Sequence, residues 1–342
     1  MNLSFSFIIP VYNRPEELRE LLTSLIAQTY AKPFEIVVVE DGSSLSSEET
    51  IAEFKNEPNW AGGTVSISYF KKDNSGPGDS RNFGMRKAKG NYFIILDSDC
   101  ILPEIYLQTV NESLERHFVH CFGGPDAAHD SFSAVQKSIN YAMTAVLTTG
   151  GIRGNKKSMG RFQPRSFNMG ISKEAFTTTK GFGNIHPGED PDLTFRIWKK
   201  GYDTKLISEA FVYHKRRIDW NKFYIQVKKF GMVRPILNKW HPNTAKMTYW
   251  FPTFFVLGFL FSMVLMIMGI RLPLNLYVVY FVIIFIDSSL RNKSLSIALL
   301  SILAVGIQFV GYGYGFLKSS ILVNFSGKKP EKLFPELFFK SI

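Results

Sequence analysis

Cysteine is scarce: Cys100 and Cys121 are the only two in 342 residues. Two thiols give no disulfide framework, so the soluble part is expected in a reducing compartment. The start, MNLSFSFIIPVYNRP, lacks the basic n-region of a secretory signal and runs straight into a Pro-containing apolar segment, so it is not read as a signal peptide. The composition has none of the biases of low-complexity disorder, collagen or a small disulfide scaffold. A basic surplus is missing from most of the chain, although the net charge is +11. Residues 1–198 carry 20 Lys and Arg against 23 Asp and Glu, net −3. That excludes a nucleic-acid-binding face spread over the body of the protein.

The positive charge lies elsewhere. Residues 199–248 hold 12 basic and 3 acidic side chains, and residues 249–342 hold 8 and 3. Formal charge is absent from two runs of 24 residues, one between Lys246 and Arg271 and one between Lys293 and Lys318. About 20 apolar residues carry a helix across the hydrocarbon layer. Both runs are therefore expected to span, placing two or three transmembrane helices in 249–317. A third run, LPLNLYVVYFVIIFI, has 15 residues before Asp287. Residues 218–248 mix aromatics with Lys and Arg and predict a basic amphipathic interfacial segment. The basic approach and the basic tail, 318–342, both belong on the cytoplasmic side by the positive-inside rule. That needs an even number of crossings, whereas a literal count of the apolar runs gives three, and both readings stand.

The first 217 residues read as a soluble α/β domain. FSFIIPV (5–11) and EIVVVE (35–40) are short β-branched runs. Between them Leu18, Leu21, Leu22, Leu25 and Ile26 recur at helical spacing, behind Pro15 and two glutamates suited to a helix start. Strand, helix, strand at this length is a βαβ unit with parallel strands. The pattern continues through a helix at 48–54, a strand at 65–70, the turn GPGDSRNFG, a helix to Ala88 and the strand NYFIILDSD. Ligands on such sheets bind beyond the carboxyl ends of the strands. Asn13, Asp41, Asp97 and Asp99 all stand at such ends. In extended chain, residues two apart share a face, so Asp97 and Asp99 converge. Paired hard oxygen ligands suit Mg2+ or Mn2+ that also holds a diphosphate. By residue type alone, Asp41 is equally a turn former or a helix N-cap.

Four segments in order resemble the family 2 glycosyltransferases: IIPVYNRP (8–15), VVVEDGSS (37–44), GPGDSRNFGMRKAKGNYFIILDSD (76–99) and GEDPDLTFRIWKKGY (188–202). The resemblance covers roughly residues 4–217. It implies the GT-A fold, a Rossmann-like mixed sheet flanked by helices, followed here by an all-α transmembrane segment. Residues 1–100 would be the nucleotide-sugar-binding half and 101–217 the acceptor half. On that resemblance Pro10, Val11, Tyr12 and Asn13 line the nucleotide site, Asp41 bonds the base, and Arg81 faces the diphosphate or sugar. Asp97 touches ribose and metal, and Asp99 binds the Mn2+ or Mg2+.

The resemblance also assigns Asp190 as the base that takes the acceptor hydroxyl's proton, with Glu189 orienting or supporting it and Asp192 as the rival. Without it, Asp190 and Asp192 could simply cap the helix that follows. His214 is a candidate third metal ligand, because neutral imidazole suits Mn2+. Asn168, Arg216, Arg217 and Gln226 are candidate acceptor or diphosphate contacts. Gln226-Val-Lys-Lys229-Phe230 departs from the Q-x-x-R-W motif of processive synthases, and Lys lacks the planar fork of Arg. Single transfer is therefore expected. The stretch GGIRGNKKSMGRFQ is expected to be a loop that orders on substrate.

The sequence thus reads as an inverting, metal-dependent glycosyltransferase in the cell's inner or plasma membrane, multi-pass, with its catalytic domain in the cytoplasm. It would take a nucleotide-sugar, UDP-linked by expectation, to a lipid-linked or membrane-proximal glycan for cell-surface polysaccharide or glycoconjugate synthesis. Two alternatives stand beside it. One is a polyprenyl-phosphate glycosyltransferase. The other is a non-catalytic sugar-nucleotide-binding subunit of a membrane synthase.

Overall fold

A computed structural model describes residues 2–56, 65–127, 132–149, 161–214 and 219–339. The chain divides into two units. The first comprises Met1–Ala127, Lys156–His214 and Phe338–Ile342; the second comprises Ala128–Asn155 and Lys215–Leu337.

The first unit opens with β1 (Phe5–Val11), α1 (Pro15–Ile26), β2 (Phe34–Asp41), α2 (Glu48–Asn56), β3 (Val65–Lys72), α3 (Pro77–Lys87) and β4 (Tyr92–Leu96). The expected βαβ succession is present, with strand and helix ends within a few residues of those read from periodicity. β1, β2 and β4 are apolar on both faces because helices cover both sides of a parallel sheet. Alternation divides each strand between two cores: Phe7, Ile9, Ile36, Val38, Ile94 and Leu96 enter one, and Ile8, Val37, Val39, Phe93 and Ile95 the other. On α1, Leu18, Leu21, Leu22 and Leu25 form the buried stripe.

The chain continues through β5 (Cys100–Ile101), α4 (Tyr106–Arg116), β6 (Cys121–Gly123) and β7 (Asp126–Ala127). After the second unit's α5 (Ala134–Thr144) and α6 (Val146–Thr149) come β8 (Asn168–Ser172), α7 (Lys173–Thr179), α8 (Glu189–Lys199), β9 (Thr204–Leu206) and β10 (Val212–His214). The main sheet has the order β3-β2-β1-β4-β8-β6-β9, with β8 antiparallel to β4 and β6. A smaller sheet, β5-β10-β7, stands beside it. This is the mixed α/β sheet expected of the first unit.

The second unit holds α9 (Trp220–Trp240), α10 (Phe251–Ile267), α11 (Leu272–Asn292), α12 (Leu295–Phe325) and α13 (Pro330–Leu333). Three helices are long and apolar enough to cross a membrane: Met247–Ile267, Leu272–Asn292 and Leu295–Phe325. The short middle run becomes a full-length helix by including Asp287. Its carboxylate pairs with Arg291 one turn on, Nε to Oδ2 2.9 Å, and accepts the Tyr141 hydroxyl at 2.7 Å. The interfacial segment proves to be α9, whose Phe223, Val227, Met232, Ile236 and Leu237 are buried. Gly231 and Gly315 let α9 and α12 approach until backbone meets backbone: a Cβ on Gly231 would strike the Tyr312 carbonyl, and one on Gly315 the Lys228 carbonyl. Small residues at such crossings are what close helix packing in an apolar phase requires.

The division differs from a single boundary at residue 217 in two places. Residues 132–149, taken from the sequence as part of the acceptor half, belong with the apolar helices. Ile139, Ala142 and Met143 join Ile284, Ala304, Val305 and Phe309 in one core. Phe338 and Phe339, taken as part of the basic tail, rejoin the first unit.

Candidate active site

The carboxyl ends of β1, β2 and β4 carry the polar residues expected there. Parallel pairing of β2 with β3 sets Asp41 opposite Lys72. The Asp41 carboxylate accepts from Lys72 Nζ at 2.6 Å and the Ser75 N–H at 3.0 Å on one oxygen, and from the Gly76 N–H at 2.9 Å on the other. Asn13 Oδ1 accepts the Ser44 hydroxyl and the Leu45 N–H, clasping the loops after β1 and β2 together. Tyr12 is exposed, Pro10 half-buried, and Val11 lies in the core with 1% exposure. The Val11 side chain therefore cannot line a pocket, and any contact from that position is through backbone.

Arg81 is the centre of the charged network. Its side chain is 4% exposed. Nη2 donates to Asp97 Oδ1 at 2.7 Å and Nη1 to Glu189 Oε1 at 3.1 Å. Burial disfavours the guanidinium's charge, but Asp97 and Glu189 outweigh it and hold Arg81 protonated. His186 Nδ1 lies 2.9 Å from the same Glu189 oxygen. Burial alone would raise the Glu189 pKa; His186 and Arg81 instead hold it down at about 2.

Asp190, the next residue, behaves in the opposite way. Burial and the adjacent Glu189 charge push its pKa above the ordinary carboxylate value, and its Oδ1 is buried without a hydrogen bond. Two neighbouring carboxyls in the first turn of α8 thus have opposite electrostatics, one fixed as an anion and the other readier to take a proton. Asp192, the rival base, is engaged by Arg196 within α8, Nη2 to Oδ2 2.7 Å.

Antiparallel pairing of β10 with β5 sets His214 opposite Cys100, beside Asp99. His214 Nε2 lies 3.2 Å from Asp99 Oδ1, and Nδ1 lies 3.9 Å from Asp126 Oδ2. Arg14 also pairs with Asp99. Burial would raise the Asp99 carboxyl, but His214 and Arg14 hold it well below the ordinary range. Among the described residues, Asp99, Cys100 and His214 place donor atoms within 4.8 Å of one another. His214 Nδ1 is buried and makes no hydrogen bond. A carboxylate with an imidazole fits Mn2+ better than the oxygen-seeking Mg2+. Cys100 does not fit: burial pushes its thiol pKa up, and it donates to the Phe167 carbonyl at 3.4 Å. Asp97, expected as a second ligand, gives Oδ1 to Arg81 and keeps 32% of its side chain exposed.

Asn168 is not available to substrate. It is fully buried, with Nδ2 donating to the Ala210 carbonyl at 2.8 Å and Oδ1 accepting the Tyr106 hydroxyl at 2.5 Å. Its position on a central strand demands that both ends of the amide be satisfied internally. Gln226 is half-buried on α9 in the second unit. Arg216, Arg217 and most of the GGIRGNKKSMGRFQ stretch lie outside the described residues. Arg14, Lys72, Asp126 and His186 are partners that sequence reasoning missed. Only Arg14 and His186 carried a local signal, sitting one residue after Asn13 and two residues before Gly188.

A family model described as "Glycosyl transferase family 2" matches residues 6–177, and one described as "Glycosyl transferase family group 2" matches residues 92–299. Glycosyltransferase GlyA of Streptococcus pneumoniae serotype 4 is 27% identical over 238 residues, covering 68% of this chain and 32% of the relative. The poly(ribitol-phosphate) beta-N-acetylglucosaminyltransferase TarS of Staphylococcus aureus is 30% identical over 116 residues, 34% of this chain and 19% of the relative. The chain thus spans about a third or less of the length of these curated relatives. Among solved structures, the mannosyltransferase PcManGT of Pyrobaculum calidifontis, in complex with GDP-Man and Mn2+, superposes with a TM-score of 0.57 at 14% identity. The match covers 96% of this chain and 89% of that one and shows a shared fold.

Proposed function

The chain belongs to the family 2 glycosyltransferases, and from that premise we propose that it moves a single sugar, with inversion, from a nucleotide-sugar to a lipid-linked or membrane-proximal glycan. The observation that carries this reading is Arg81, a buried cation joining Asp97 at the end of β4 to Glu189 at the start of α8. It gathers a fixed positive charge, an anion and the proton-accepting Asp190 at one sheet end. Asp190 takes the acceptor's proton as the hydroxyl attacks the anomeric carbon. Arg81 opposes charge developing on the departing nucleoside diphosphate. Glu189, held anionic, keeps the acidic turn in register. Asp41 with Lys72 and the 75–76 backbone forms the polar wall for the base. Asp99 and His214 would hold a divalent ion, which when bound supplies Lewis-acid neutralisation of the diphosphate. TarS bears a name that specifies N-acetylglucosaminyl transfer, and the PcManGT structure holds Mn2+. Nucleotide-linked N-acetylglucosamine, GDP-mannose and Mn2+ are therefore the first donors and metal to test.

The three long apolar helices support residence in the cell's inner or plasma membrane, with the catalytic unit on the cytoplasmic side. Phe338 and Phe339 follow those helices in sequence yet belong to the catalytic unit, which supports a tail on the same side as that unit. The test is transfer or donor hydrolysis by the purified full chain over a panel of nucleotide-sugars, with and without Mn2+. Turnover of one donor, lost in Asp190→Asn, is the expected result. Full activity of Asp190→Asn would sink the mechanism.

A further inference from the structure

The loop that delivers the acidic turn, residues 181–189, is fastened at both ends to α3. Near its start, Asn82 Nδ2 donates to the Phe182 carbonyl at 2.9 Å and Asn82 Oδ1 accepts the Phe182 N–H at 2.8 Å. At its end Arg81 holds Glu189. Between these points the chain meets a segment more than 140 residues away in sequence. Phe338 forms an antiparallel bridge to Ile185, and the Phe339 N–H donates to the Asn184 carbonyl at 3.0 Å. The Phe339 ring then touches both sides of the site. Its centroid lies 6.0 Å from that of His186, and its other flank rests on Gly76. Gly76 is where Asp41 receives one of its backbone hydrogen bonds. A side chain at Gly76 would collide with this ring, and its φ of +93° is itself a conformation that favours glycine.

We propose that Phe339, carried by the strand-like pair Phe338–Phe339, is a positioning residue for the transfer reaction. It holds loop 184–189 against the start of α3 and so fixes the chain His186–Glu189–Arg81–Asp97. The proposal rests on the transferase reading for its consequence in catalysis and on packing alone for its structural claim. One loop is thereby clamped by its local neighbours at the ends and by a distant segment in the middle. A clamp of this kind matters because a displacement of about 1 Å at a reacting group lowers turnover about a hundredfold.

The experiment uses the full chain in detergent or nanodiscs with Phe339→Ala and, as the conservative variant, Phe339→Tyr. Hydrogen exchange of the peptide covering 184–189 and steady-state kinetics on the donor that the wild type uses are both measured. Phe339→Ala is expected to speed exchange in that peptide about tenfold, as local opening becomes easier, while exchange in β1 and β2 stays as in the wild type. It should lower kcat about tenfold with KM for the donor little changed, and Phe339→Tyr should restore both. Unchanged exchange in Phe339→Ala overturns the proposal, as does faster exchange with wild-type kcat. A wild type that turns over no nucleotide-sugar overturns the transferase reading instead. The exchange comparison still decides whether the tail holds the loop.

Discussion

Arg81 Nη2 lies 2.7 Å from Asp97 Oδ1, with 4% of the arginine side chain exposed and 32% of the aspartate's. The cation is thus enclosed while its partner keeps an open side, as a residue shared between protein and substrate would. Because Glu189, 5% exposed, leans on the same guanidinium, Arg81 holds two acidic elements at once.

Replacing Arg81 with Met is therefore expected to strand Glu189. Breaking a buried pair from one side costs about 3–5 kcal/mol, so the variant should unfold at clearly lower temperature and show no turnover. Arg81→Lys should recover part of the stability and little activity, since an ammonium lacks the two-pronged geometry that reaches both carboxylates. Thermal denaturation with nucleotide-sugar turnover checks both.

The metal prediction separates Asp99 from its neighbour. Asp99→Asn should abolish saturable Mn2+ binding by electron paramagnetic resonance, and with it any Mn2+-dependent transfer. Cys100→Ser should leave the Mn2+ affinity within about twofold of wild type, because a protonated, buried thiol is no ligand. His214→Ala should weaken binding without removing it. Equal loss in Cys100→Ser would place the thiol in the metal shell and overturn the assignment.

Much of this was legible in the chain, for definable reasons. The apolar runs of β1, β2 and β4 and the leucine stripe of α1 announce a covered parallel sheet by periodicity alone. Asp97, Asp99, Glu189 and Asp190 are legible because they stand at strand or helix ends, where sheets of this kind place their ligands. What could not be read depends on register and on distant pairing. Lys72 meets Asp41 because β2 and β3 align residue for residue, and His186 meets Glu189 because a loop turns back. The burial of Asn168 follows from β8 inserting antiparallel between β4 and β6, a topology that local sequence does not encode. The return of Phe338 and Phe339 from beyond the apolar helices has no sequence signal at all.

The α9–α12 crossing gives a prediction away from the site. Gly315 faces the Lys228 carbonyl so closely that no Cβ fits. Overpacking a tight contact costs about 1–3 kcal/mol, and here the obstacle is backbone, which cannot rotate aside. Gly315→Val is expected to loosen α9 and expose it to protease in detergent. Gly306→Val, at a position with open space around the glycine, should be tolerated. Limited proteolysis of the two variants side by side distinguishes a specific crossing from general sensitivity of the helix.

The acidic turn makes the final prediction one of pH. Asp190 must be ionised to accept a proton, and burial with the Glu189 charge raises its pKa. kcat/KM should therefore fall as pH drops through a value above the ordinary aspartate range. Stability follows two other groups. The folded pKa of Glu189 is depressed to about 2, so its contribution is present above the ordinary glutamate value and is lost as pH falls toward about 2. His186 has the opposite sign. Burial would lower its pKa, but Glu189 raises it, so its contribution is complete below the ordinary imidazole value of about 6.5 and fades as pH rises through the folded one. His186→Gln should flatten the alkaline loss of thermal stability and, because the imidazolium also faces Asp190, move the acid limb of kcat/KM upward in pH. A residual activity in Asp190→Asn that keeps the same acid limb would transfer the base assignment away from Asp190.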